Sequence, residues 1–217
     1  MKNTIKIGFA STVAALTLVV SCKDFEEMNV DPFGANAQQV QVEYFINNSI
    51  VSAQQDPHIA ERIFVLYWKT AGRQAFGGGI SAGTHNDGWT VDYYGRSYMS
   101  SWLSSINGAI EVANEQIATN NIQPYTNNLL QVARIWRVYL MSEMTDMFGP
   151  IPLDGWSGTN PSYSSQQDVY YFLLDELRDA SNSLDLNVDA SSISRFDPAY
   201  GYNFANWQKY ANSMRMR

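Results

Sequence analysis

The sequence has little of the chemistry that enzymes and metal sites require. It contains one cysteine, Cys22, and two histidines, His58 and His85. The glycines at 77–79 are not followed by the Gly-Lys-Ser/Thr of a phosphate loop. Lysine and arginine total 14 against 21 acidic residues, so the net charge of −7 repels nucleic-acid phosphates. We therefore expect neither an enzyme nor a nucleic-acid-binding protein.

The amino terminus reads as a signal for export and lipid attachment. Lys2 and Lys6 precede an apolar stretch, residues 7–20, that is too short to span a membrane. The stretch ends in Val-Val-Ser-Cys, which resembles the bacterial lipobox, where cleavage before the cysteine lets that residue carry lipid. Because Cys22 is the only cysteine, it cannot form an intramolecular disulfide. We expect residues 1–21 to be a lipoprotein signal peptide and Cys22 to be lipidated; the alternative is an ordinary secretory signal.

Residues 22–36 are predicted to be an acidic tether, and residues 37–217 a helical domain. The run Lys-Asp-Phe-Glu-Glu after Cys22 resembles the surface-export signal of Bacteroidetes lipoproteins. Asp-Pro at 31–32 punctuates this polar segment and argues against regular structure in it.

Helical periodicity dominates the rest of the chain. Helices are predicted at about residues 37–54, 57–71, 95–120, 124–148, 165–184 and from 204 onward. Short connections force antiparallel neighbours, so the predicted fold class is all-α, built of stacked αα-hairpins with long irregular loops. The residues predicted to face inward are Val40, Tyr44 and Val51 on the first helix, Trp102, Ile106, Ala109, Ala113 and Ile117 on the third, and Leu129, Ala133, Trp136, Leu140, Met144 and Met147 on the fourth.

Two segments rich in Gly, Asn, Ser and aromatic residues are predicted to be irregular, at 72–94 and 149–164. At the start of the second, Gly149 is suited to closing the preceding helix. Pro150 cannot continue that helix, and Pro152 favours an extended backbone. The sequence thus predicts a stiff arm after the fourth helix.

Polar pairs offer weak catalytic or metal sites. His85 and Asp87 lie two residues apart, but no second cluster completes a metal site. Glu143 and Asp146 share a helix face, and paired carboxylates can hydrolyse glycosides. The favoured interpretation of that pair is a solvated or arginine-paired helix end. No cofactor and no catalytic residue are predicted.

Three stretches carry a family resemblance: "YMSSWLSSINGAIEVAN", "ARIWRVYLMSEMTDMFGPIPLDGW" and "WQKYANSMRMR". Together with the lipobox they resemble, in order, the SusD-like (SusD/RagB) outer-membrane lipoproteins. Asn107 falls on a recurrent asparagine of that family, and Phe148, Gly149 and Pro152 match its Phe/Tyr-Gly-x-x-Pro arm. Pro150 departs from the family pattern, which usually has Asp there.

The resemblance implies a tetratricopeptide-like helical scaffold and a lipid-anchored location at the outer membrane, on the cell surface. It also implies a binding protein that captures a glycan or another nutrient and delivers it to a TonB-dependent, SusC-like transporter. Family members are longer than this chain, so we expect an N-terminal portion whose last helix leaves Trp207, Tyr210 and Met214 uncovered.

The residues predicted to bind the ligand lie in the first irregular segment. Aromatic faces stack on sugar rings and polar neighbours bond hydroxyls. The candidates are Asn86, Asp87, Trp89, Tyr93 and Tyr94. Two alternatives remain. In the first, these aromatics pack under the loop and the protein is a lipid-anchored helical scaffold that binds only proteins. In the second, which is less favoured, the protein is a glycosidase that uses carboxylates such as Glu143 and Asp146.

Overall fold

A computed structural model of the 217-residue chain describes residues 40–53, 72–74, 87–153 and 161–217. These residues, apart from Val40, belong to one compact unit, Gln41–Arg217. The predicted signal peptide, the tether and the helix at 57–71 lie outside the described residues. In chain order the elements are α1 (Val42–Ala53), α2 (Asp87–Asp92), a π-helical segment (Tyr93–Leu103), α3 (Ser104–Ala118), α4 (Thr126–Phe148), β1 (Ile151–Pro152), β2 (Tyr163–Ser164), α5 (Gln166–Asn182), a 3₁₀ segment (Ser191–Phe196) and α6 (Phe204–Met216).

The predicted all-α class is confirmed. Helix α1 packs on α3, α3 on α4, α4 on α5 and α5 on α6. The strands β1 and β2 form one antiparallel pair, with Ile151 opposite Ser164 and Pro152 opposite Tyr163. In the part of the chain that the structure describes, no helix is long and apolar enough to cross a membrane.

Helix α4 is buried on more than its predicted face. The predicted positions Leu129, Ala133, Leu140 and Met144 are buried, while Trp136 and Met147 are half-buried. A second set of positions on α4 is buried too: Val132, Ile135, Val138 and Met141. A helix that is apolar on two sides must be covered from two sides, and α4 contacts α3 as well as α5.

The prediction of which face of α1 points inward is wrong. Tyr44 and Val51 are 50% and 51% exposed, and the buried apolar positions are Val42, Ile46 and Ile50. Steps of four along a helix also form one face, and this face is the more aliphatic of the two. Tyr44 instead lies at the surface, with its ring edge-on to Phe196 at 5.1 Å between centroids.

The third predicted helix begins earlier than expected, because Asp87 to Ala118 is helical throughout. Its π-helical part explains which aromatics are buried. Residues five apart in an α-helix point about 140° apart, whereas the i→i+5 bonds of a π-helix bring them to one side. Tyr93, Tyr98 and Trp102 accordingly share the buried face, with ring centroids 5.1 Å apart for Tyr93 and Tyr98 and 4.6 Å for Tyr98 and Trp102.

The expectation that Trp207 is uncovered at the end of the chain is wrong. Trp207 is buried between the rings of Tyr200 and Tyr210, with centroids 5.2 and 5.7 Å away. Its indole Nε1 donates to Oδ2 of the buried Asp197 at 2.7 Å. The same oxygen accepts the backbone N–H of Tyr202, also at 2.7 Å, so the connection from the 3₁₀ segment folds back over α6.

A charged cluster joins α4 to α5. Arg134 donates from Nε and Nη2 to the two carboxylate oxygens of Glu176 at 3.2 and 2.7 Å, and Arg137 donates from Nη2 to Oε2 at 2.6 Å. Arg137 also donates from Nη1 to Oδ1 of Asn107 on α3 at 3.3 Å. Burial by itself would raise the pKa of Glu176, but the hydrogen bonds and charges of the two arginines hold it below its usual 4.5.

A hydroxyl on α1 joins three elements. The fully buried Ser49 donates from Oγ to the carbonyl of Trp102 at 2.9 Å and accepts the indole N–H of Trp136 at 3.0 Å. It therefore fixes α1 to the end of the π-helical segment and to α4.

Replacing Glu176 with Gln is expected to lower the free energy of unfolding by about 3 kcal/mol, because two partly buried arginines lose their counter-charge. Asp175→Asn removes an ion pair with Arg178 at the surface and should change stability little. Urea unfolding at neutral pH measures both. The pKa of Glu176 is lowered in the folded state, so its contribution to folding stability is present above about pH 4.5 and disappears as the pH falls further. The stabilities of the unaltered protein and of Glu176→Gln should therefore converge in acid. Equal stability of the two variants at neutral pH would contradict the assignment.

Replacing Ser49 with Ala should lower the free energy of unfolding by about 1–2 kcal/mol, since the Trp136 indole N–H is left without its acceptor. Ser52→Ala, on the same helix, removes only a 3.4 Å bond to Asn48 and serves as the matched control. Thermal unfolding followed by circular dichroism compares them. If Ser52→Ala destabilises as much, the Ser49 contacts are not the cause.

Candidate ligand-binding site

Four of the five predicted ligand residues lie in the described part of the chain. Asn86 lies outside the described residues, as does His85 of the possible metal pair. Asp87 and Trp89 belong to α2, whose backbone leads directly into the π-helical segment. Tyr93 and Tyr94 open that segment.

Tyr93 is packed in the core rather than displayed. It is 3% exposed, and its ring meets Tyr98 and Trp102 edge-on. Burial to this degree argues against direct contact with a ligand, and the π-helical geometry accounts for the burial.

Tyr94 follows Tyr93 in the π-helical segment and is half-buried. Its hydroxyl lies 3.3 Å from the hydroxyl of Tyr163 on β2, and its ring is edge-on to Phe148 at 5.1 Å between centroids. Burial, followed by the hydrogen bond with Tyr163, raises the pKa of Tyr94. Tyr94, Phe148 and Tyr163 are referred to below as the Tyr94 cluster.

The arm after α4 holds two members of this cluster in place. Gly149 has a positive φ of 77°, and its N–H donates to the carbonyl of Thr145 at 2.8 Å. The Thr145 hydroxyl in turn donates to the Gly149 carbonyl at 2.6 Å. Beyond Gly149 the chain is extended, as the prolines predict, and β1 pairs with β2, which carries Tyr163. The end of α4 therefore determines where Phe148 and Tyr163 lie.

The chemistry of the cluster suits a ligand with apolar faces and hydroxyl groups. Tyr163 is 63% exposed, so much of its side chain is open to solvent. An aromatic face can cover the C–H face of a sugar while a phenol hydroxyl donates or accepts at the edge. Sequence reasoning did not assign Tyr163 to the site; the available signal was its place in the second aromatic-rich irregular segment.

The carboxylates Glu143 and Asp146 have separate partners. Glu143 accepts the hydroxyls of Tyr98 at 3.2 Å and Tyr139 at 2.8 Å. Asp146 accepts the hydroxyl of Tyr170 and pairs with Arg217 at 3.4 Å. This agrees with the interpretation of Asp146 as an arginine-paired helix end and gives the two carboxylates different surroundings.

The described residues contain no group of three or more His, Cys, Asp or Glu able to hold a metal. Residues 79–83 read Gly-Ile-Ser-Ala-Gly, which fits the Gly-x-Ser-x-Gly pattern of nucleophile elbows. That motif works at the end of a strand in an α/β sheet, and these five residues lie outside the described part of the chain.

Several solved structures have a similar arrangement of helices. They include a Bacteroidetes SusD-like protein (21% identity, TM-score 0.59), a chitin-binding protein (19%, 0.64) and a SusD homologue from Parabacteroides distasonis (24%, 0.61). The matches cover 81–82% of this chain and 33–38% of the solved chains, so this chain spans about a third of their length. At these identities the likeness shows the fold.

A comparison with curated proteins finds no match. A family model described as SusD-like, the SusD and RagB outer membrane lipoproteins, matches residues 27–217. The match covers most of the chain, including the helices, the arm and the Tyr94 cluster. The chain therefore belongs to the SusD-like family of outer membrane lipoproteins.

Proposed function

We propose that this protein is a surface lipoprotein that captures a glycan or another nutrient and delivers it to a TonB-dependent, SusC-like transporter. Membership of the SusD-like family is the observation that carries the proposal. The chitin-binding protein among the similar structures supports a saccharide as the ligand class. The described residues supply a rigid helical scaffold with an accessible aromatic cluster at one end of α4.

In this proposal the Tyr94 cluster contacts the ligand. Tyr163 presents the exposed ring, and Tyr94 holds it through the bond between the two hydroxyls. Trp89, Asp87 and Asn86 come just before Tyr94 in the chain and are proposed to extend the same contact surface. Tyr93 is proposed to support the site from the core.

The lipid anchor is proposed to be Cys22, with residues 22–36 as an acidic tether between the membrane and the helical domain. Acyl chains on this residue would hold the protein at the outer membrane without a spanning helix. The proposed location beside a transporter requires this anchor, since a captured ligand must be released where it can enter the cell.

One observation favours the alternative, a lipid-anchored helical scaffold that binds only proteins. Several of the aromatics that could stack on a sugar are buried instead, among them Tyr93, Tyr98, Trp102 and Trp207. Retention of the transporter by a protein that retains no glycan would favour the scaffold. Release of sugar that is lost in Glu143→Gln would instead point to a glycosidase.

We expect Tyr163→Ala and Tyr94→Ala each to weaken the binding of the protein's best glycan about tenfold, since an aromatic contact is worth about 1 kcal/mol or more. The glycan is chosen by affinity electrophoresis against a panel of polysaccharides that includes soluble chitin oligosaccharides, and titration calorimetry measures the affinity. Tyr171→Ala is the matched control, because Tyr171 is 60% exposed on α5. Unchanged affinity in both cluster variants, with the same affinity as the control, would remove the cluster from the site.

Cys22→Ala is expected to abolish lipid attachment and move the protein from the outer-membrane fraction to the soluble fraction. Ser21→Ala keeps a small residue before the cysteine and should leave attachment intact. Metabolic labelling with an alkyne fatty acid, followed by fractionation, reports both results. Labelled Cys22→Ala protein in the outer membrane would show that the anchor lies elsewhere.

A further inference from the structure

A cavity of about 410 Å³ lies where the end of α6 meets α4 and α5. Its lining comes from α4 between Val138 and Asp146, from α5 between Tyr170 and Leu177, and from residues 214–217. We refer to it as the α6 groove. Its volume is within the range of sites that hold small molecules, and none of the residues that line it belongs to the Tyr94 cluster.

The α6 groove follows two antiparallel helices. Asp146, near the end of α4, accepts the hydroxyl of Tyr170, near the start of α5. Arg134, earlier on α4, pairs with Glu176, later on α5. Val138 and Asp146 are eight residues apart on α4, which is about 12 Å along the helix axis. The groove is therefore elongated, with Asp146 and Tyr170 at one end and Val138 at the other.

Aliphatic side chains form the floor and part of the rim. Val138, Leu173 and Leu177 are almost fully buried beneath it. Leu174 and Met216 also line it, and they are 39% and 83% exposed. A ligand that covers these side chains removes apolar surface from water, which favours binding.

Two arginines line the same groove. Arg217 pairs with Asp146 at 3.4 Å, and that carboxylate also accepts the Tyr170 hydroxyl. Arg215 donates to the neutral amide oxygen of Asn212 at 3.4 Å. The ion pairs of the described residues do not include Arg215. Its charge therefore has no carboxylate partner in the described part of the chain, and an anion can bind it.

The middle of the groove is better suited to a hydrocarbon chain than to a peptide. Ser142 lies between Val138 and Asp146 on α4, and its hydroxyl donates to the carbonyl of Tyr139 at 2.8 Å. A peptide backbone carries a donor and an acceptor at nearly every residue and requires partners for them, whereas a hydrocarbon chain carries none.

We propose that the α6 groove is a second binding site, which takes a linear aliphatic carboxylate, that is, a fatty acid. The hydrocarbon chain lies along the leucines, and the carboxylate binds the guanidinium groups of Arg215 and Arg217, which suit carboxylates through paired N–H donors. Asp146 keeps Arg217 at the groove, and Arg215 supplies the charge that Asp146 does not balance. The inference does not depend on the capture of glycans.

The test measures the binding of decanoate to the 217-residue protein by calorimetry, below the concentration at which decanoate forms micelles. We expect 1-decanol, which has the same chain without the charge, to bind about tenfold more weakly. Hexanoate should bind at least about tenfold more weakly as well, since each methylene removed from water strengthens binding about fourfold. Equal affinity for hexanoate and decanoate would show that the chain does not occupy the groove.

Two variants with matched controls locate the site. Leu174→Asp places a charge in the apolar rim and should weaken decanoate binding by more than about tenfold. Tyr171→Asp changes a 60% exposed residue of the same helix outside the groove and should have no effect. Arg215→Gln should reduce the affinity for decanoate to that for decanol, while Arg178→Gln, also outside the groove, should leave it unchanged.

A comparison on the unaltered protein tests the charge without any variant. Decylamine has the same chain with a positive head group and should bind more weakly than decanoate. Equal affinity for the two overturns the inference, and so does decanoate binding that persists in Leu174→Asp protein whose circular dichroism is unchanged. Binding of an acidic peptide without binding of decanoate would instead assign the groove to a protein partner. All of these outcomes leave the proposed capture of glycans untouched.

Discussion

Helix α4 must be covered on nearly every side, and the rest of the described fold is arranged to cover it. It contacts α1, the π-helical segment, α3, α5, α6 and β1. Its buried polar groups then require partners from those neighbours, since an unmade hydrogen bond in the interior is costly. Ser49 of α1 accepts from Trp136, and the backbone of Asp185 after α5 exchanges two bonds with the Asn128 side chain. These bonds set the positions of the neighbouring helices as well as stabilising the fold.

The proposed site inherits its geometry from the same helix. Phe148 is the last residue of α4. The π-helical segment packs against α4 and supplies Tyr94, whose ring is edge-on to Phe148. A π-helix is uncommon and is often associated with function. In this protein it carries two adjacent tyrosines with different surroundings. Tyr93 is buried in the core, and Tyr94 contacts Tyr163 of β2.

Sequence periodicity anticipated much of this fold for a physical reason. In α4 and α5 the apolar residues recur at the spacing of an α-helix, so buried positions such as Leu140 and Leu173 could be predicted from spacing. The composition of residues 72–94, rich in Gly, Asn, Ser and aromatics, predicted an irregular segment, so the helical start at Asp87 and the burial of Tyr93 were missed. The contact between Tyr94 and Tyr163 joins residues 69 apart in sequence and depends on tertiary packing that spacing does not reveal.

The pairing of β1 with β2 has a consequence for how this protein can change. The ladder holds the two strands together, and the Thr145–Gly149 bonds fix the start of β1 to the end of α4. Closing a longer segment over a fixed base adds little entropic cost. Tyr163 is therefore positioned by the strand pairing and the end of α4, and a change in the length of the chain between the two strands is expected to leave it in place.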